Sequence, residues 1–235
     1  MPYYYYYMDP TYILVLIGLV ICLGASALVN STMRRYSQVR NYMGLTGGDA
    51  ARRILNNEGL YGVQVECLNS SQGDHYDPRS KTVRLSKENF YGVSVTAVSV
   101  AAHECGHAIQ HDKEYAPLNF RTALVPVVNI GSRLGLPLIV LGVLLGWNQV
   151  LIQIGIWAFA LSLLFQIVTL PVEFNASARA VAKVEQYGLL TTQEQSGCKK
   201  VLRAAALTYV AAAASSALQL LRLILLYGGG RRRRD

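Results

Sequence analysis

The segment His103-Glu104-Cys105-Gly106-His107 sets two imidazoles four residues apart, with a carboxylate beside the first. Residues four apart share one face of a helix, so both rings can point at one ion, as tetrahedral zinc requires of its nitrogen ligands. Glu104 is then placed to take a proton from an attacking water, whose pKa zinc lowers to about 7. The chemistry this implies is metal-assisted hydrolysis of a peptide bond, with Glu104 as general base and later as proton donor to the leaving amine. The plainer reading is two histidines that share a helix face for packing alone. Ala101, Ala102, Gly106 and Ala108 suit a helix packed closely on others, and Cys105, near the far side, reads as a packing residue.

A catalytic zinc takes three protein ligands and keeps one position open. Metzincins extend the motif to a third histidine, but Gln110 and Lys113 stand at the corresponding positions here. His111 lies eight residues beyond His103, about 12 Å along a helix axis, too far to share the ion. Asp112 and Glu114 are too near in sequence to fold back. His75, in an upstream loop, is one alternative. Glu173 is the favoured third ligand: it opens a predicted helix after an apolar run, where a carboxylate needs a partner. Its competing explanation is a charge satisfied by the dipole at that helix's N-terminus. Asn175, Ser177 and Arg179 would supply supporting hydrogen bonds or oxyanion contacts. His75 and Tyr76 are further oxyanion candidates.

These residues need elements to carry them, and much of the chain reads as membrane. Apolar residues make up 52% and charged residues 15%, against about 25% charged in soluble domains. Residues 10–33 carry no charge, long enough to cross a bilayer core of about 30 Å. The preceding Tyr3 to Tyr7 suit the headgroup level, and the lack of Lys or Arg before the run argues against a cleaved leader. Residues 134–172 are also charge-free, with a turn signal at Gly146-Trp147-Asn148-Gln149. A hairpin follows, 125–146 out and 150–170 back. Residues 202–227 suggest a helix that does not fully cross, because Arg231 to Arg234 would otherwise end outside.

The polar section between predicts a helix over 49–57, strands at 63–68 and 81–85 joined by a loop over 73–78, and a long helix over 93–111. A last helix, 173–187, is expected to start at Pro171 and stop at Gly188. The fold expected is a mainly α membrane protein, with transmembrane helices plus a small α+β zincin-like catalytic domain. Its parts are 1–33, a leading span; 34–122, the catalytic part; 123–171, the hairpin; and 172–235, the third-ligand helix and membrane-associated C-terminal helices. The net charge of +8 flanks apolar runs (Arg34, Arg35 and Arg40 follow the first), which suggests orientation in a membrane over nucleic-acid binding. The four cysteines form no CxxC pair and no disulfide framework.

The stretches Asp74-His75-Tyr76-Asp77-Pro78, Val83-Arg84-Leu85-Ser86, Ala101 through Gln110 and Pro171-Val172-Glu173-Phe174-Asn175-Ala176-Ser177 together resemble the YugP-like neutral zinc metallopeptidases of bacterial membranes. The resemblance covers nearly the whole chain. It implies one Zn2+ per chain in a gluzincin-like site and a membrane protease, without defining a substrate. The chain departs from that pattern at Asn175, more often Asp, and at Cys105, more often aliphatic.

The function expected is a membrane-embedded zinc metalloendopeptidase, multi-pass in the cell membrane. Its site is on the cytoplasmic side and its substrates are membrane-adjacent peptides or proteins. Residues 83–85 would offer an edge strand to such a chain. The alternative is a catalytically inactive zinc-binding scaffold or adaptor, which a closed four-ligand site would favour. A transporter finds little support in spans so poor in charge.

Overall fold

The structure, a computed structural model, describes residues 9–68 and 73–227; the Tyr3 to Tyr7 run and the arginines from Arg231 to Arg234 lie outside them. The described chain is a helical membrane protein with a small α+β part. Four helices are long and apolar enough to cross a membrane: α1 (Tyr12–Ser37), α5 (Ala116–Leu144), α6 (Gln149–Gln186) and α7 (Thr192–Tyr227). Contacts divide the chain into two compact units.

One unit is formed by Ala25–Phe120 and Val168–Thr208. It holds α2 (Gly47–Asn57), β1 (Gln64–Leu68), β2 (His75–Asp77), β3 (Thr82–Ser86), α3 (Lys87–Phe90) and α4 (Val95–Asp112). A capping box starts α2: the Thr46 hydroxyl accepts from Asp49 N–H and the Asp49 carboxylate accepts from Thr46 N–H, a device worth about 1 kcal/mol. Helix α2 lies on α4, and Ile54, Leu55, Val83, Leu85, Val98 and Ile109 are fully buried among their neighbours. Buried Asn41 bonds Leu45 through both backbone groups and Val93 through its carbonyl, tying the end of α1 to the start of α4.

The sheet corrects two expectations. The segment expected as a loop over 73–78 contains β2, which pairs antiparallel with β3 at His75↔Arg84, Tyr76↔Val83 and Asp77↔Thr82. Three residues are too few to show the alternation that marks a strand in sequence. And β3 is central, with parallel β1 on its other side, so residues 83–85 offer no edge to a substrate; the edges are β1 and β2.

The other unit comprises Met1–Gly24, Arg121–Ile167 and Tyr209–Asp235. The expected turn is present. Gly146 and Trp147 take left-handed φ values of 76° and 65°, and Asn148 Oδ1 caps α6 by accepting from Val150 and Leu151 N–H. Glycines let the two arms close: a Cβ on Gly155 would meet Ile139 Cγ1 at 2.5 Å. The first arm begins at Ala116, well before residue 125, and carries Pro126 and Pro137 inside it.

Two further boundaries differ from expectation. The predicted break at Pro171 is absent, because α6 runs unbroken from Gln149 to Gln186. An interior proline costs about 3 kcal/mol, but ending a helix in apolar surroundings strands several backbone groups, each costing a similar amount. Helix α7 starts at Thr192, ten residues before the expected start, behind a second capping box in which Glu194 accepts from the Thr191 N–H and hydroxyl. At 36 residues it has the length and apolarity to cross a bilayer, where the helix expected was 202–227, one that does not fully cross.

Candidate metal centre

Ser94 caps α4 by accepting from Ala97 N–H, and the 18-residue helix that follows carries the whole HExxH segment. His103 and His107 stand one turn apart with their rings nearly perpendicular, centroids 4.8 Å apart. Facing them is Glu173 of α6. Its Oε2 lies 3.3 Å from His103 Nε2 and 3.7 Å from His107 Nε2. Three ligand atoms each about 2 Å from a tetrahedral zinc lie about 3.3 Å from one another, so the two imidazoles and the carboxylate fit that ion in both spacing and chemistry. They form a possible metal-binding group among the described residues.

Because α6 continues through Pro171, Glu173 sits deep within a helix. No helix N-terminus is present to satisfy its charge, so the dipole explanation does not apply. The carboxylate is 3% exposed, and a buried charge of this kind requires cationic or metal partners. The close approach of the two helices depends on Gly106, where an added Cβ would lie 2.5 Å from the Ala176 carbonyl.

The outer nitrogens of both rings are also engaged, and this fixes which nitrogen faces the carboxylate. Gln110 is fully buried. Its amide nitrogen donates to the Val172 carbonyl at 2.8 Å and to Asn175 Oδ1 at 3.0 Å, so its oxygen is the acceptor for His107 Nδ1–H at 3.0 Å. Arg179 Nε donates to the same Asn175 oxygen at 2.8 Å. On the other ring, Ser177 Oγ lies 3.1 Å from His103 Nδ1. With Nδ1 as its donor, the neutral ring of His107 carries its lone pair on Nε2, the tautomer a metal ligand needs, and the Ser177 hydroxyl, able to accept as well as donate, permits the same tautomer in His103. Burial disfavours the charged form of His107, yet its bond to Glu173 and the nearby Glu104 and Glu173 charges hold its pKa above the ordinary value. A metal must displace that proton.

Glu104 is buried next to His103, at 7% exposure. Cys105 points the opposite way, fully buried with its Sγ 3.6 Å from the Ala51 carbonyl; burial pushes its thiol well above the usual range. Of the other expected residues, Asn175, Ser177 and Arg179 join the hydrogen bonds around the two rings, whereas His75 and Tyr76 take other partners. His75 Nδ1 bonds the Gly73 carbonyl, and the Tyr76 hydroxyl lies 2.9 Å from His111 Nδ1. Burial first, then the charges of Asp77 and Asp112, push the Tyr76 phenol up to about 12. Gln110 is the residue that sequence reasoning missed. Its one signal is a polar amide three residues after the second histidine, where a helix puts it on the same face as that ring.

Comparison with known proteins gives a consistent result. The family model described as "Putative neutral zinc metallopeptidase" matches residues 11–228. The "Putative membrane protease YugP" of Bacillus subtilis (strain 168) is 47% identical over 181 residues, covering 77% of this chain and 80% of that protein. No solved structure matches.

Proposed function

The chain belongs to this neutral zinc metallopeptidase family, and on that footing we propose that it is a membrane-embedded zinc metalloendopeptidase with His103, His107 and Glu173 as metal ligands and Glu104 as general base. The observation that carries the reading is the convergence of two Nε2 atoms and one buried carboxylate oxygen from two helices. Zinc held there would supply Lewis acidity, polarising a peptide carbonyl and making water a nucleophile near neutral pH. The protein's own groups do the rest. Gln110 and Ser177 hold the imidazoles in the required tautomer. Glu104 takes a proton from the attacking water on its carboxylate oxygen and returns it to the departing amine nitrogen. The buried surroundings of Glu104 and Glu173 keep bulk water from competing.

Three donors, among the described residues, leave a fourth position for water or substrate. This supports an enzyme over a scaffold with a closed site. The outer edge of β2 is the natural place for an extended substrate backbone to pair, because β2 packs against α4 while β3 is enclosed. Basic residues after α1 (Arg34, Arg35, Arg40) favour a cytoplasmic position for the polar section that follows, and membrane-adjacent chains as substrates. The test is a Glu104→Gln protein in a neutral bilayer or micelle. Bound zinc stays at one per chain while cleavage of an unfolded protein substrate is lost. Cleavage at the wild-type rate with zinc in place defeats the assignment.

A further inference from the structure

Two grooves flank α7, and both are built as a cationic end joined to an apolar end. The first, about 260 Å³, lies between α1 and α7. At one end Tyr36 packs against Gly197, where an added Cβ would meet the ring at 2.6 Å, and Arg35 and Lys200 stand nearby in the lining. At the other end are Leu28 and Leu207, 46% and 44% exposed. The second groove, about 510 Å³, lies between α6 and α7. Its lining nearest the turn that joins these helices is Val181 and Lys199, and its farthest is Phe174 and Leu207. Arg203 lines both.

The charge is one-sided. Arg35, Lys199, Lys200 and Arg203 are all exposed, neither groove is lined by an Asp or Glu, and none of the four pairs with an acid among the described residues. Four cations brought together without counter-charge repel one another, so an anion is the ligand they fit. An apolar trough leading away from that charge along helices long enough to span a membrane fits a hydrocarbon tail, not a water-soluble phosphate. We propose that this is a binding site for an anionic glycerophospholipid, with its phosphate on Arg203 between Lys199, Lys200 and Arg35, and its acyl chains in the grooves on either side of α7. The larger groove shares the Ser177 wall with the proposed metal centre, but its cations and apolar lining need no metal, and the proposal stands whether or not the protein is a peptidase.

The test uses the full chain in a non-ionic detergent, with native mass spectrometry counting bound phosphatidylglycerol or phosphatidylcholine of identical chains. The wild type retains phosphatidylglycerol on the order of tenfold more strongly, as expected for several cations near a headgroup. The pair Lys199→Gln and Arg203→Gln, both at exposed positions, removes the preference. Arg203→Lys keeps most of it. Ala178→Trp, which narrows the larger groove with every charge in place, weakens retention of both lipids. Inorganic phosphate and deacylated glycerophosphoglycerol at millimolar concentration fail to compete. Equal retention of the two lipids by the wild type overturns the proposal, as does an undiminished preference in the double variant. Competition by the soluble phosphates as effective as by whole lipid marks a phosphate site and also overturns it. So does full displacement by an acidic, apolar peptide that outcompetes phosphatidylglycerol, which marks a substrate groove.

Discussion

Helix α4 carries three histidines at equal spacing, and among the described residues two of them meet a carboxylate. His103 and His107 face Glu173 of α6. His111, one turn further, faces the Tyr76 hydroxyl of β2. The side chain is the same, the helix is the same and the interval is the same. What differs is the element packed opposite. The HExxH spacing therefore accounts for a pair of rings on one face, while the identity of the third partner, and with it the chemistry, depends on which residue the long helix α6 presents. A histidine opposite a protonated phenol is held by a neutral hydrogen bond; a pair opposite a buried carboxylate has the charge and geometry to hold a cation.

Exchanging partners tests that contrast most severely. Glu173→Ala leaves two imidazoles without the carboxylate, and both bound zinc and peptide cleavage are expected to fall to background by metal analysis and a proteolysis assay. Glu104→Gln retains zinc while cleavage falls by about 10²–10⁴-fold, the range for loss of a general base. Gln110→Leu removes the acceptor for His107 Nδ1, and zinc affinity in a chelator competition is expected to drop about 10–100-fold. His111→Phe leaves zinc content unchanged; a loss of metal there would erase the distinction between the two histidine environments. The smallest effect belongs to the sheet beside His111. Bonds from Ser80 first, then Arg84 and the Arg79 N–H, hold the Asp77 carboxyl below the usual carboxylate range. Its contribution to stability is thus present above the unfolded-state pKa and lost as pH falls through the lower folded value. Asp77→Asn should lower the melting temperature slightly at neutral pH, with the difference vanishing in strong acid; an equal difference at all pH values excludes an ionic origin.

The parts of this molecule legible in sequence were those whose physical cause is local. The periodicity over 49–57 lies within α2 (Gly47–Asn57), the turn signal at Gly146–Gln149 lies within one turn, and the spacing of His103 and His107 follows from the helix repeat. What could not be read depended on distant partners. Pro171 is a helix breaker by local rules, and its tolerance inside α6 comes from the apolar surroundings of the helix. The strand at His75–Asp77 exists because β3 is there to pair with it. Gln110 offered only its spacing from His107, which says nothing of the partners it meets. Its bonds to Val172 and Asn175 cross more than sixty positions of sequence. The start of α7 at Thr192 was a miss of a different kind, since Thr191 and Glu194 form a local capping signature.

The division of the proposed ligands between α4 and α6 has a kinetic consequence. His103 and His107 come into register as soon as one helix forms, an event on the microsecond scale. Glu173 reaches them only after the intervening chain, including the whole α5–α6 hairpin, has been placed, and contacts so far apart in sequence close late. A nascent or partly inserted chain can therefore offer a metal two nitrogens but no carboxylate. On the proposed reading, tight retention of zinc would report completed assembly, and a chain whose α6 has not docked against Gly106 would be held inactive by geometry alone, with no separate inhibitor required.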